Sequence, residues 1–153
     1  MFALQAENTK IDIKKNGSRP ILSNQRKHKH RGGSRRVCFF RYSARCIEKN
    51  AAATGLSERV RILQADYRIA LDRLCAEGLR FDIALLDAPY ADGTAQDAAV
   101  RLFSIGLMQD DGLVVIEHAR ELPPAPMPGL MRIRKTKTYG DCCFTMMERD
   151  LEP

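Results

Sequence analysis

The chain carries four consecutive residues suited to holding an amine-bearing ring: Asp87, Ala88, Pro89 and Tyr90. They follow the apolar run FDIALLD, residues 81–87, which is typical of a buried parallel strand, and open α/β sheets bind ligands where such strands end. The Asp87 carboxylate and the Ala88 carbonyl can accept hydrogen bonds from an exocyclic amine, and a tyrosine ring can stack on the base that carries it. An ordinary strand-to-loop turn, with Asp87 capping a backbone N–H and Tyr90 packed, is the alternative.

The elements that would position this stretch alternate between strand and helix from about Val37 onward. VCFF, residues 37–40, predicts a strand, and the segment after it predicts a helix that begins at Ser43 as N-cap and stops at Gly55. The later elements are a strand in 59–66, a helix in 67–78, the strand 81–87, a helix in 94–106, a strand from Gly112 to His118, and two extended runs around Tyr139-Gly140-Asp141. This order predicts an α/β fold with a doubly wound, mostly parallel sheet and a C-terminal antiparallel hairpin.

Composition limits the class of protein. A chain of 153 residues with 44% hydrophobic residues fits one globular domain. No run approaches the roughly 20 apolar residues that span a bilayer, and the first residues lack a secretory apolar region, so we expect a cytoplasmic protein without membrane contact. The five cysteines show no C-x-x-C spacing, which favours free thiols over a zinc site or disulfides.

Charge divides the chain into two parts. Residues 1–50 carry 13 Lys/Arg against 3 Asp/Glu, whereas residues 51–153 carry 12 against 16. We predict a basic, irregular segment in residues 1–36 and an α/β domain in residues 37–153. The tract NQRKHKHRGGSRR could follow a phosphate backbone, or it could be a solvated tail because it has almost no apolar residues to bury. Its two histidines read as solvated residues, and we expect no metal.

From about Ile47 to Met147, the ordered segments IEKNAAATG, RILQAD, FDIALLDAPY, GLVVIEH and KTKTYGD resemble the bacterial 16S ribosomal RNA guanine-N2 methyltransferases of the RsmD type. The resemblance implies the Rossmann-like class I methyltransferase fold, S-adenosylmethionine as cofactor, and small-subunit ribosomal RNA as partner. The implied reaction is methylation of the exocyclic N2 amine of guanine.

The family's Asp/Asn-Pro-Pro-Tyr/Phe motif falls on residues 87–90. The resemblance implies that Asp87 orients the amine and eases loss of its proton. It also implies that the Ala88 carbonyl accepts a second N–H, that Pro89 fixes the turn, and that Tyr90 stacks on the base.

Further residues are implied as contacts with the cofactor and the substrate. Asp66 falls on the acidic position that approaches the cofactor's adenine, and Tyr67 and Asp87 complete the cofactor set. The implied substrate contacts are Glu117, Lys135, Lys137 and Tyr139. For these four, ordinary surface or hairpin positions are the alternative.

The N-terminal part departs from the family pattern. Ala88 replaces the first proline of the motif, and residues 1–50 contain no strand followed by a glycine-rich loop. VCFF is followed by Arg41, where the family's second strand ends in an acid that accepts hydrogen bonds from the ribose. We therefore predict that the segment before about Val37 is replaced, rearranged or wrongly framed, and that KIDIKK is the only candidate to fill the sheet where the first strand is missing.

Two other functions stay open at this point. The chain could be a catalytically impaired or non-enzymatic RNA-binding remnant of the family. It could also be an amino methyltransferase acting on DNA or protein. The residues 87–90 can recognise an amine, but they do not determine which kind of molecule carries that amine. The sequence gives no indication of an oligomeric state.

Overall fold

The computed structural model describes residues 2–6, 9–14, 35–88 and 93–151. The strands among them are β1 Phe2–Ala6, β2 Thr9–Lys14, β3 Val60–Gln64, β4 Phe81–Asp87, β5 Met108–Ala119, β6 Met131–Tyr139 and β7 Cys142–Arg149. The α-helices are α1 Arg35–Ala53, α2 Tyr67–Ala76 and α3 Thr94–Ser104, and a single 3-10 turn covers Ser57–Arg59. No helix of these described segments is long and apolar enough to cross a membrane.

The strands form one sheet in the order β3-β2-β1-β4-β5-β7-β6. The β2/β3 and β4/β5 pairs are parallel. The β1/β2, β1/β4, β5/β7 and β6/β7 pairs are antiparallel. The predicted α/β class and the C-terminal hairpin are confirmed, but the sheet of the described chain is mixed, with fewer parallel pairs than we predicted.

An N-terminal hairpin accounts for this mixture. Leu4 of β1 pairs with Ile11 of β2 on one side and with Ala84 of β4 on the other. The hairpin therefore fills the gap between β3 and β4. KIDIKK was predicted to stand in for the missing first strand, but it forms β2 at the second-strand position beside β3, and β1, which was not predicted, takes the place beside β4. Because β1 runs against β4, the start of β1 lies where β4 ends, with Phe2 paired to Leu86.

The prediction of a strand at VCFF is wrong. These four residues lie in α1, and Ser43 is inside that helix rather than at its start. A short apolar run does not distinguish a strand from a helix by itself, and the position of the second strand in the sheet is taken by β2. The predicted stop is confirmed, since the helix ends at Ala53 and Gly55, two residues later, has φ 68°.

The core lies between α2, α3 and the central strands. The two helices contribute Leu71, Leu74, Leu102 and Phe103, all at most 2% exposed, and β4 and β5 contribute residues such as Leu86 and Ile116. Each such side chain contributes about 1.5–3 kcal/mol when fully buried. Alternate strand residues point to the other face, where Leu85 is 46% exposed. The sheet therefore presents a more open face, and Asp87 lies on it.

The predicted division at residue 36 stays a prediction. Strands β1 and β2 lie within the segment expected to be irregular, and α1 begins at Arg35. Residues 15–34, which include most of the basic tract, lie outside the described residues.

Replacing Leu4 by proline tests whether the N-terminal hairpin supports the sheet. Proline cannot donate a ladder hydrogen bond and leaves the partner carbonyl unsatisfied, so Leu4→Pro should lower the free energy of unfolding by about 1–3 kcal/mol. Leu151→Pro, outside every described strand, is the control and should leave the unfolding curve unchanged. Chemical denaturation followed by circular dichroism measures both. Equal stability of the two variants would show that the sheet does not depend on β1.

Candidate base-binding site

Two acids meet at the end of the parallel strands. Asp87 is the last residue of β4, and it pairs directly with Glu117 of β5. Paired residues on adjacent strands project from the same face, and adjacent strands lie about 4.8 Å apart. Ala88, 4% exposed, follows Asp87, while Pro89 and Tyr90 lie outside the described residues.

The environment of Asp87 raises the pKa of its carboxyl. Burial is the main cause that raises the pKa of this carboxyl above its ordinary value of 3.8. The positive charge of the amino terminus opposes this shift, and the negative charge of Glu117 adds to it by a smaller amount. Like charges repel, so the charge of Glu117 disfavours the ionised form of Asp87. A ligand that donates hydrogen bonds to both acids would relieve this repulsion.

Cys142 supports Glu117 from the neighbouring strand. Its thiol donates to Glu117 Oε1 at 3.3 Å. The cysteine spacing predicted only a free thiol at this position. The contact depends on the register of β7 against β5, which pairs Glu117 with Phe144 and which the sequence pattern alone does not give.

A row of side chains continues from the acids toward the edge of the sheet. Phe144 of β7 pairs with Glu117 on one side and with Lys137 of β6 on the other. Lys137 is thus three strands from Asp87, about 14 Å at ordinary strand spacing. Asp87, Glu117, Phe144 and Lys137 therefore share one face in a single line across β4, β5, β7 and β6, which we call the acid-to-lysine row.

Tyr139 flanks this row. The residue is 61% exposed, and its ring contacts Phe144 edge to face, with ring centroids 5.9 Å apart and planes at 74°. The turn that follows is held to the end of β5, because Arg120 donates from Nη2 to the Gly140 carbonyl at 2.6 Å. Gly140 has φ 61°, a conformation that favours glycine in a tight turn. An exposed aromatic ring on an anchored turn is a suitable stacking platform.

The basic residues of β6 divide between two environments. Arg132 and Arg134 pair with Glu148 at 3.0 and 3.6 Å. Lys135 and Lys137 are exposed, lie on the face of the row, and have no ion pair within the described segments. The two lysines are therefore the cations of this strand that remain available to phosphate.

A polar network, buried at His118 and Thr145 and exposed at Thr136, lies behind the row on the opposite face of the same strands. His118, 5% exposed, has its Nε2 2.8 Å from Thr145 Oγ1, and Thr145 Oγ1 is 2.8 Å from Thr136 Oγ1. The other ring nitrogen, Nδ1, is 2.8 Å from the Ala119 carbonyl, so Nδ1 donates there while Nε2 accepts from the threonine. Satisfied buried networks fix strand positions, and this one joins β5, β7 and β6 next to Glu117.

Two of the three predicted cofactor residues, Asp66 and Tyr67, lie apart from Asp87 and Glu117. Asp66 follows β3, three strand positions from β4, and its Oδ1 accepts from the Arg68 backbone N–H at 3.0 Å as the N-cap of α2. Tyr67 is 2% exposed, and the Arg68 guanidinium lies 5.2 Å from its ring centroid. A hollow of about 250 Å³ between α2 and α3 includes Tyr67, but its lining contains neither Asp66 nor Asp87.

The described residues fit part of S-adenosylmethionine. β3 and β4 run in the same direction, so Asp66 and Asp87 stand at the same edge, and their carboxylates suit the cofactor's amino groups and its cationic sulfonium. At the central position of this edge stands the start of β1, with Phe2 beside Leu86, where the family's pattern has a glycine loop leaving its first strand. The part of the cofactor that such a loop would hold has no counterpart among the described residues.

The structure thus brings together some of the predicted residues. Asp87 and Glu117 are neighbours, Lys135, Lys137 and Tyr139 lie along the same face, and Asp66 stands at the same edge. Tyr67 is in the core. Their roles stay predictions. In the described residues, no group of three His, Cys, Asp or Glu side chains could hold a metal ion.

Solved structures confirm the class I methyltransferase fold. A candidate methyltransferase of Escherichia coli matches with a TM-score of 0.60 at 20% identity over 73% of this chain and 61% of its own. A candidate methylase of Haemophilus influenzae matches with a TM-score of 0.58 at 20% identity over 71% and 67%. A conserved hypothetical protein of Streptococcus pyogenes matches with a TM-score of 0.64 at 26% identity over 72% and 67%.

The family follows from the sequence match. The model described as conserved hypothetical protein 95, which is the RsmD-like family, matches residues 34–148. The chain belongs to this family, and the resemblance drawn from its motifs is confirmed. A comparison with curated proteins finds no match. The chain spans 61% of the E. coli protein, less than two thirds of its length.

Asp87→Asn tests the electrostatics of the acid pair through stability. A carboxyl whose folded pKa is raised stabilises the fold only while protonated, and this contribution is lost as the pH rises through the folded pKa. The asparagine variant should therefore melt above the parent chain at pH 7, and the difference should shrink toward pH 4, near the ordinary value of 3.8. Thermal unfolding across this range measures it, with Asp82→Asn on the same strand as control. If the variant melts below the parent chain at pH 7, the ionised Asp87 carboxylate is not destabilised by its burial.

Proposed function

We propose that the chain is an S-adenosylmethionine-dependent methyltransferase that modifies the exocyclic N2 amine of guanine in 16S ribosomal RNA. The observation that carries the proposal is the carboxyl of Asp87 at the end of β4, half-buried beside Glu117, on a chain with the family's fold. The names of the E. coli and H. influenzae structures, which describe methyl transfer, support the reaction class. A ribosomal substrate implies a cytoplasmic location.

The cofactor supplies a methyl group on a positively charged sulfur. The protein's task is to orient the amine nitrogen and to take up its proton. Asp87 does both in this proposal, because its carboxylate accepts an N–H bond and its raised pKa makes it a better proton acceptor than an exposed aspartate. The Ala88 carbonyl accepts the second N–H, Pro89 fixes the turn, and Tyr90 stacks on the base.

The rest of the row supports binding of an RNA strand. Lys135 and Lys137 are exposed on the face that carries Asp87, and lysines neutralise phosphates with release of counterions. Tyr139, which flanks the row, offers a ring for a neighbouring base, and such stacking contributes about 1–3 kcal/mol per base. Nucleic acid is therefore the substrate class that the described surface favours over a protein amide.

Asp87→Ala tests the assigned role of the carboxylate. Loss of a group that positions the amine and accepts its proton should lower kcat by about 10²–10⁴-fold, the usual range for general acid–base groups. Transfer of labelled methyl groups to 16S ribosomal RNA measures this, and mapping of the product shows whether N2 of guanine is the site. Asp82→Ala, the same change at the other end of β4, should keep full activity. An Asp87→Ala variant within about threefold of the parent would refute the role, since acid–base groups contribute far more.

A non-enzymatic RNA-binding role is the second candidate, and one observation favours it. The start of the antiparallel strand β1 occupies the central position at the edge of the sheet where β4 ends, and the family's pattern has its glycine loop at this position. The acids, the lysines and the exposed tyrosine could bind RNA without any cofactor.

Calorimetry with S-adenosylmethionine separates the two candidates. The proposed enzyme should bind the cofactor saturably, and Asp66→Ser should weaken binding by about tenfold, the loss expected for one hydrogen bond to a charged group. Serine keeps the N-cap of α2, so the helix is preserved. Absence of cofactor binding together with salt-sensitive RNA binding would favour the second candidate.

A further inference from the structure

The second acid of the site has no assigned task in the transfer of a methyl group. One carboxylate and one carbonyl are enough to hold an amine, yet Glu117 is in direct register with Asp87 on the adjacent strand. Placing two carboxylates side by side is unfavourable in itself. The arrangement is favourable when the ligand presents hydrogen-bond donors in a row, because each acid then accepts one.

We propose that Glu117 is the residue that selects guanine, by accepting the N1–H bond while Asp87 accepts from the 2-amino group. The inference rests on the proposed function, since it assumes that the amine at Asp87 belongs to a purine. Guanine presents its N1–H next to the 2-amino group, so two adjacent donors meet two adjacent acids. Glu117 is longer than Asp87 by one methylene group, which extends its reach from the neighbouring strand.

The same pair of acids excludes the other amine-bearing bases. Adenine and cytosine each carry their amine next to a ring nitrogen that has a lone pair instead of a hydrogen. A carboxylate that faces this lone pair is left without a donor and is repelled, and sites that leave a buried polar group unpaired discriminate strongly. Glu117 therefore makes the site specific for guanine, whereas residues 87–90 alone recognise any amine.

The surroundings of Glu117 fit a fixed, selective acceptor. The Cys142 thiol donates to one carboxylate oxygen, Oε1, at 3.3 Å, which orients the group. Phe144 pairs with Glu117 on the same face and provides an apolar neighbour. On the other face, the buried His118–Thr145 contact holds β5 to β7 next to it. A carboxylate confined in this way loses little freedom when it binds a base.

Binding of purine analogues distinguishes the roles of Asp87 and Glu117. Three hexanucleotides of uridine carry one central guanine, hypoxanthine or 2-aminopurine, and fluorescence anisotropy measures their binding without cofactor. Hypoxanthine keeps N1–H but lacks the amine, whereas 2-aminopurine keeps the amine but lacks N1–H. The parent chain should bind guanine about tenfold or more tightly than either analogue, as expected for one charged hydrogen bond.

The variants should then lose one preference each. Glu117→Ala should reduce the preference for guanine over 2-aminopurine to about twofold or less, because this variant has no carboxylate to accept a hydrogen bond from N1–H. Its preference for guanine over hypoxanthine should persist. Asp87→Ala should show the reverse pattern. Glu121→Ala, an exposed acid four residues beyond Glu117, is the matched control and should keep both preferences.

Glu117→Gln tests whether a change in base preference reflects the lost carboxylate rather than a loss of folding. A glutamine can donate from its amide, so this variant should move the preference toward 2-aminopurine, a gain that a damaged fold cannot produce. If Glu117→Ala retains the guanine preference while Asp87→Ala loses its own, the inference fails and the proposed function stands. If the parent chain distinguishes none of the three purines, both are overturned.

Discussion

The site depends on the in-register alignment of two parallel strands, which sets Asp87 of β4 directly beside Glu117 of β5. A shift of one residue would turn one of the two acids to the opposite face, because side chains alternate along a strand. Burial of Leu86 and Ile116 on the helix-covered side fixes this register. The same packing that stabilises the core therefore holds two acidic groups in an environment that raises the pKa of one of them.

The hairpin of β1 and β2 keeps β4 an interior strand. The first strand of a class I sheet is central, and a chain without it would leave backbone donors and acceptors of β4 unpaired. Here β1 pairs with β4 in antiparallel orientation and completes the ladder. Because β1 is antiparallel to β4, the start of β1 lies at the edge of the sheet where a loop would follow a parallel first strand. The acids Asp87 and Glu117 thus lie on β4 and β5, apart from the strand that the glycine loop would follow.

The sequence predicted the α/β class, most elements after Gly55 and the position of Asp87, because long apolar runs and helical periodicity reflect burial directly. It misplaced VCFF, a four-residue apolar run that fits either a strand or a helix, and it missed β1. The thiol contact of Cys142 and the line from Glu117 through Phe144 to Lys137 depend on strand register between distant segments. Local patterns do not contain that register, so these parts of the site could only be read from the structure.

A crystal structure of the chain with a short guanine-containing RNA tests the central claim most directly. The account predicts that the guanine N2 amine lies about 2.7–3.2 Å from a carboxylate oxygen of Asp87 and that the base sits on the open face of β4 and β5. A guanine bound elsewhere, with Asp87 still facing its protein surroundings alone, would contradict the account.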